Sequence, residues 1–270
     1  GEVRIMNVFQ VGEIKIYYDE KLSGGGRSFG QLYVPIVKRL IGKSKICFEA
    51  FSGPAFIGFS LLAHNLCEEL VVADINPEAI NYVKMTVERN KLNDRVRYYV
   101  SDVIDGVPET EKFDLVVGNP PQFNENTLKN YCGNIHCDQV ELLKSYDEGW
   151  KLHRKFYLNI RKFLNKKANI ILVENSEGST EKDFINMISE GGLKYVGTIR
   201  PDLEDIILAS YITIKGLKYD QNLPKAVEIV RRLPYNVYKF AFKLGVKLHY
   251  QLLTNYINSL SKFYFIWAKI

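Results

Sequence analysis

Between residues 45 and 119 the chain repeats one pattern four times: a short apolar run that stops at or beside a polar side chain. The runs are Lys45–Ala50 with Glu49, Leu70–Asp74, Val96–Val100 ahead of Ser101-Asp102, and Phe113–Gly118 ahead of Asn119. Such runs are too short for helices and bounded by turn residues, so they suit strands covered on both faces. Helical signals lie between and beyond them. Asn76 is placed to cap and Pro77 to start a helix with Ile80, Val83 and Val87 on one face. Leu152, Phe156, Ile160 and Phe163 mark a second amphipathic helix, and Phe184, Ile185 and Ile188 a shorter one. Asn169–Val173 reads as a fifth strand, with Lys194–Ile199 and Ile206–Ile214 as a final strand pair. Strands alternating with helices in this way predict an α/β fold with a doubly wound, mostly parallel seven-stranded sheet. Ligands of such sheets bind outside the carboxyl ends of the strands, so Glu49, Asp74, Asp102 and Asn119 are expected to share one crevice.

A chain of 270 residues with 46% hydrophobic residues can bury one sizeable core. The N-terminal part, 1–42, reads as an alternating hairpin over residues 8–20, a glycine-rich loop Ser23–Gly30 containing Arg27, and a helix from about Gln31 to Ile41. The sheet occupies 43–216. Residues 217–270 form a basic extension, with nine Lys/Arg against Asp220 and Glu228, a net of +7 that leaves the rest of the chain at −2. No apolar run approaches the ~20 residues of a membrane-spanning helix, and no secretory signal is recognisable. The four cysteines lack a disulfide-framework pattern, so a cytoplasmic setting is expected. Cys132-x-x-x-His136-Cys137 lacks a fourth ligand at useful spacing, and no metal site is expected. His64, His153, His249 and Trp150 read as core or surface residues rather than catalysts.

The segment Gly118-Asn119-Pro120-Pro121-Gln122-Phe123 carries the chemistry. Each proline fixes its own φ, lacks an N–H and holds the residue before it extended. The result is a stiff turn presenting carbonyl acceptors with the Asn119 carboxamide oxygen beside them. Such a clamp suits an NH₂ group, accepting both hydrogens and leaving the nitrogen lone pair aimed elsewhere. Asp74, after the second strand, is placed to accept from vicinal ribose hydroxyls, and Asp102 from an exocyclic adenine amine. The first strand's turn, Phe51-Ser52-Gly53-Pro54-Ala55, lacks the G-x-G-x-x-G of dinucleotide sites. A nucleoside with a cationic, phosphate-free tail fits better, its tail facing Glu49 and that turn.

With these residues in this order, the chain resembles the class I S-adenosylmethionine-dependent methyltransferases. Within them it is similar to the HemK/PrmC glutamine N5-methyltransferases, over about residues 12–215. The likeness also rests on Asp147-Glu148-Gly149-Trp150, Val173-Glu174-Asn175 and Gly191-Gly192-Leu193. It implies S-adenosyl-L-methionine as cofactor. Glu49, Phe51, Ser52 and Gly53 would line its methionine end, Asp74 and Ile75 the ribose, and Asp102 and Val103 the adenine. Asn119, Pro120, Pro121 and Gln122 would form the catalytic turn, with Phe123 and Arg27 at the acceptor. Two positions depart from the family. Its Gly-x-Gly-x-Gly turn keeps only Gly53, and Gln122 stands where an aromatic residue usually stacks on a flat acceptor. The expected acceptor is therefore an amide or amine nitrogen of a protein, peptide or small molecule. The alternatives are an exocyclic base amine of RNA or DNA, with the basic extension gripping phosphate, and an inactive fold that only binds cofactor or a partner. The extension itself reads as helical. Its readings are packing or homodimer formation, or capture of substrate, nucleic acid or an anionic membrane surface.

Overall fold

The computed structural model describes residues 6–134 and 144–270. A β-hairpin, β1 (Asn7–Val11) and β2 (Ile14–Tyr18), opens the chain and is followed by the glycine-rich loop and α1 (Tyr33–Leu40). The sheet then grows from β3 (Ser44–Ala50), α2 (Phe56–Ala63), β4 (Cys67–Asp74), α3 (Pro77–Arg89), β5 (Val96–Val100) and β6 (Phe113–Gly118). After α4 (Glu125–Asn134) and α5 (Lys151–Asn159) come β7 (Leu164–Asn175), α6 (Lys182–Glu190) and β8 (Lys194–Ile199). Four helices follow: α7 (Leu203–Gly216), α8 (Lys225–Arg231), α9 (Tyr235–Lys247) and α10 (Gln251–Ser261). The chain then re-enters the sheet as β9 (Phe263–Lys269).

The strand order is β5-β4-β3-β6-β7-β9-β8, with β9 antiparallel to both neighbours and the other pairings parallel. Alternation along the central strands divides the core in two. Cys47, Leu115, Val117, Ile171 and Phe265 face the hairpin, α1, α2, α3 and α7. Phe48, Val116, Ile170, Leu172 and Ile266 face α5 and α6. This is the doubly wound sheet that the alternation of elements predicts.

The last strand pair is a correction. Ile206–Ile214 is helical, inside α7, and β8 pairs instead with the end of the chain, Lys194 opposite Lys269. The physical signal is at the start of α7. The Asp202 side chain accepts from the Asp205 N–H while the Asp205 carboxylate accepts from the Asp202 N–H, a capping box that commits the following apolar run to helix. α7 is apolar around much of its circumference because it is wedged between α1 and the insertion, which hides the helical period. The boundary expected at residue 216 does not separate sheet from tail, since residues 263–269 lie inside the sheet. The stretch between them forms the helices α8, α9 and α10. The polar stretch after the proline turn contains α4, and of the Cys132-x-x-x-His136-Cys137 set His136 and Cys137 lie outside the described residues. No metal-ligating cluster occurs among the described residues.

Candidate active site

Parallel pairing of β5, β4, β3 and β6 delivers Asp102, Asp74, Glu49 and Asn119 to one edge of the sheet. Backbone bonds tie the ends together: Ser52 N–H donates to the Ala73 carbonyl, and Ser101 N–H to the Asp74 carbonyl. Asp74 works in both directions. One oxygen accepts from Gly53 N–H at 2.7 Å and the other from Asn76 N–H at 2.8 Å, so the carboxylate fixes the turn after β3 against the start of α3. Burial raises its pKa, partly offset by those two donors. Beside it, Ile75 is 65% exposed, an apolar side chain open to a flat ligand.

Glu49 is buried and accepts from Gly58 N–H, 2.6 Å away in the first turn of α2. Gly58 permits this approach, since a Cβ there would sit 2.7 Å from the same carboxylate oxygen. Burial drives the Glu49 pKa well up against the pull of that donor. The turn between them keeps the left-handed backbone of a glycine loop with only one glycine, Gly53. Phe51 (φ 53°), Gly53 (φ 50°) and Ala55 (φ 66°) all occupy the left-handed region. The Phe51 ring leans towards Phe156 of α5, with centroids 6.1 Å apart, while Ser52 is buried. Val103, also left-handed at φ 57°, is buried next to the exposed Asp102. Lys155 reaches Asp102 and Asp105, each at 2.7 Å.

At the end of β6 the Asn119 carboxamide is engaged at both ends. Its Nδ2 donates to the Gly24 carbonyl at 2.8 Å, bringing the glycine-rich loop over the turn. Its Oδ1 accepts from Gln122 Nε2 at 2.6 Å. Pro120 is buried and Pro121 partly so. Gln122 is packed so closely under Gly178 that a Cβ at that glycine would lie 1.9 Å from the Gln122 carbonyl oxygen. Phe123 is 4% exposed, its ring 4.5 Å from Tyr131, so it walls the site rather than offering a free stacking face. Arg27 is committed elsewhere: its guanidinium donates to Tyr18 Oη and to both Glu20 oxygens. Its loop reaches the site through Gly24; its charge is spent on Glu20.

Two supports escaped the sequence reading. Tyr33 is fully buried, its hydroxyl 2.7 Å from the Gly118 carbonyl and 2.9 Å from that of Ile171, bridging β6 and β7 just below the turn. His153 is read from sequence as core or surface and is fully buried. It joins Asp147 Oδ2 (2.6 Å, through Nδ1) to Glu174 Oε1 (2.7 Å, through Nε2). Asp147 N–H in turn donates to the Phe123 carbonyl at 2.8 Å, linking this buried group to the proline turn. The sequence signal was a His six residues after an Asp, with the second acidic partner, Glu174, brought in only once β7 is placed beside α5.

Residues 43–167 match the family model described as Methyltransferase small domain. The chain is 28% identical over 109 residues to the ribosomal protein uL3 glutamine methyltransferase of Francisella tularensis, covering 40% of this chain and 34% of that one. It is 28% identical over 148 residues to the release factor glutamine methyltransferase of Clostridium acetobutylicum, covering 54% and 50%. It thus spans a third to a half of the length of these relatives. Among solved structures, a putative methyltransferase complexed with SAH superposes over all of this chain and 57% of its own, with TM-score 0.54 at 13% identity. That likeness fixes the fold as the class I methyltransferase type.

Proposed function

We propose that the protein is an S-adenosyl-L-methionine-dependent N-methyltransferase acting on an amide nitrogen of a protein or peptide. The observation that carries this reading is the Asn119 carboxamide oxygen, oriented by Gln122 at the head of the proline turn, on the strand edge that also bears Glu49, Asp74 and Asp102. The chain's residues fit the cofactor. Asp74 and Asp102 offer acceptors where ribose hydroxyls and an adenine amine would lie, exposed Ile75 offers apolar area to a base, and the left-handed Phe51–Ala55 turn curves back from β3. The cofactor supplies an electrophilic methyl group on a sulfonium. Ser52, Gly53 and Val103 belong to the same lining.

An amide nitrogen is a poor nucleophile because its lone pair is delocalised. Asn119 Oδ1 and the Pro120 carbonyl would accept its two hydrogens, turn the lone pair towards the methyl group and stabilise positive charge growing on nitrogen. The curated relatives named as glutamine methyltransferases support an amide acceptor. Gln122 offers no aromatic ring and the Phe123 ring is buried, so neither position after the prolines presents a stacking face, which weighs against RNA or DNA. The test is transfer of labelled methyl from S-adenosylmethionine to glutamine-containing peptides, read by mass spectrometry alongside S-adenosylhomocysteine release. Label in a base and none in peptide would overturn the acceptor; no S-adenosylhomocysteine with any acceptor would overturn the activity.

A further inference from the structure

The insertion between β8 and β9 carries a surface that neither the sheet nor the strand-end site uses. α9 divides into three stripes. Tyr238 and Phe242 are buried and, with half-buried Val246, pack the helix onto the core. Lys239, Lys243 and Lys247 recur every fourth residue along a second stripe. The third is apolar and open to solvent: Val237, Phe240, Leu244 and Leu248, with Phe240 and Leu248 each 70% exposed. The turn into α10 extends it through Tyr250 and Leu252, the latter 66% exposed. A contiguous apolar surface of this kind, rimmed by charge, marks a contact site.

Charge and shape select the occupant. From Lys225 to Lys262 the chain has seven basic residues and a single acidic one, Glu228. Glu204 of α7 pairs with both Lys239 and Lys243, leaving an excess of positive charge, and Lys247 makes no ion pair among the described residues. The partner is therefore anionic. A second copy meeting this face across a two-fold axis would set lysine against lysine. Nucleic acid would be met by arginine and stacking aromatics, whereas this stripe is mainly aliphatic and gains nothing from phosphate. A helix-binding groove has walls, but side chains exposed by two thirds stand clear of their neighbours. A bilayer interface with acidic headgroups takes both features at once. The protruding Phe240, Leu244, Leu248 and Leu252 enter the acyl boundary, while the flanking lysines lay their stems along it and reach phosphate. No helix among the described residues is long and apolar enough to cross a membrane.

We propose that the α9–α10 hairpin docks this protein peripherally on an anionic lipid surface. The test is cosedimentation of the whole chain with vesicles of phosphatidylcholine alone or mixed in equal parts with phosphatidylglycerol. The expected result is partition onto the mixed vesicles only, weakened by salt. Phe240→Ser with Leu248→Ser is expected to lower partition at least about tenfold, and Lys247→Glu by about tenfold. Thermal unfolding should be unchanged in both variants because all three side chains are exposed. Failure of the parent to bind anionic vesicles, or variants that bind as the parent does, would overturn the proposal. So would a dimer or RNA complex abolished by the same changes in the absence of vesicle binding. None of these readouts depends on methyl transfer.

Discussion

Gln122 Nε2 donates to Asn119 Oδ1 across 2.6 Å, so the acceptor face of the proline turn is set by a side chain three residues further along. The same amide nitrogen lies 3.4 Å from the Val173 carbonyl at the end of β7. Asn119 is thereby held between the glycine-rich loop and the neighbouring strand. Removing the carboxamide with Asn119→Ala should lower kcat by about 10²- to 10³-fold, the loss typical of one oriented polar group at a reacting centre. Affinity for S-adenosylmethionine, measured calorimetrically, should stay close to that of the parent. Gln122→Leu keeps Asn119 but frees its rotation, and should cost about tenfold in kcat with little change in cofactor KM. A parallel loss of cofactor binding in either variant would reassign the turn to cofactor binding.

Asp74 predicts the opposite split. Its two oxygens hold Gly53 N–H and Asn76 N–H, each with a lone pair to spare for a diol. Asp74→Asn turns one acceptor into a donor that faces a backbone N–H. Cofactor affinity should fall at least about tenfold, consistent with losing a charge-assisted hydrogen bond, whereas saturating cofactor should restore most of kcat. Equilibrium binding and steady-state kinetics on the same preparation separate the two effects.

The strand edge was legible because its signals are local. Buried strands read as apolar runs, and a polar residue stopping each run needs no tertiary knowledge to be noticed. Tyr33 was not legible because its partners, Gly118 and Ile171, lie in strands distant in sequence, and His153 because its second partner, Glu174, is brought to it only by the strand that follows α5, although Asp147 is six residues away. The strand-to-helix error at Ile206–Ile214 has a related cause. An apolar run buried on several sides shows neither period clearly, and the capping box at Asp202 and Asp205 was the overlooked local clue. β9 was hidden differently: Phe263–Lys269 has a strand's composition, but it follows an insertion of four helices and so falls outside the expected strand pair.

Strain in the first turn yields a third prediction. Ala55 is fully buried at φ 66°, where an L-residue pays about 1–2 kcal/mol. Ala55→Gly relieves that cost, while losing a buried methyl worth about 0.8 kcal/mol and adding unfolded-chain entropy of similar size. The terms nearly cancel, so stability should change by less than about 1 kcal/mol. Ala79, buried within α3, has no such strain to relieve, and Ala79→Gly should cost roughly 2 kcal/mol. Urea unfolding of the two variants decides between them: equal losses would mean that the left-handed turn stores no strain.

The buried His153 makes stability depend on pH in a definite direction. Burial alone pushes its pKa down, but the Glu174 charge and the hydrogen bonds to Asp147 and Glu174 outweigh it, raising the pKa to about 9. Glu174 itself is raised by burial, with the imidazolium pulling against that rise. A group whose folded pKa exceeds its unfolded one stabilises the native state fully below the unfolded value, about 6.5 for histidine. That contribution is lost as pH rises through about 9. Unfolding free energy should therefore decline from neutrality into this alkaline window. His153→Gln should flatten the decline and, at neutral pH, cost about 3–5 kcal/mol because two buried carboxyl groups lose their cation. The same cation holds Asp147, whose N–H donates to the Phe123 carbonyl next to Gln122. Turnover should fall with stability over that window in the parent, and a pH–stability profile that is flat from pH 7 to 9 would remove the imidazolium from this account.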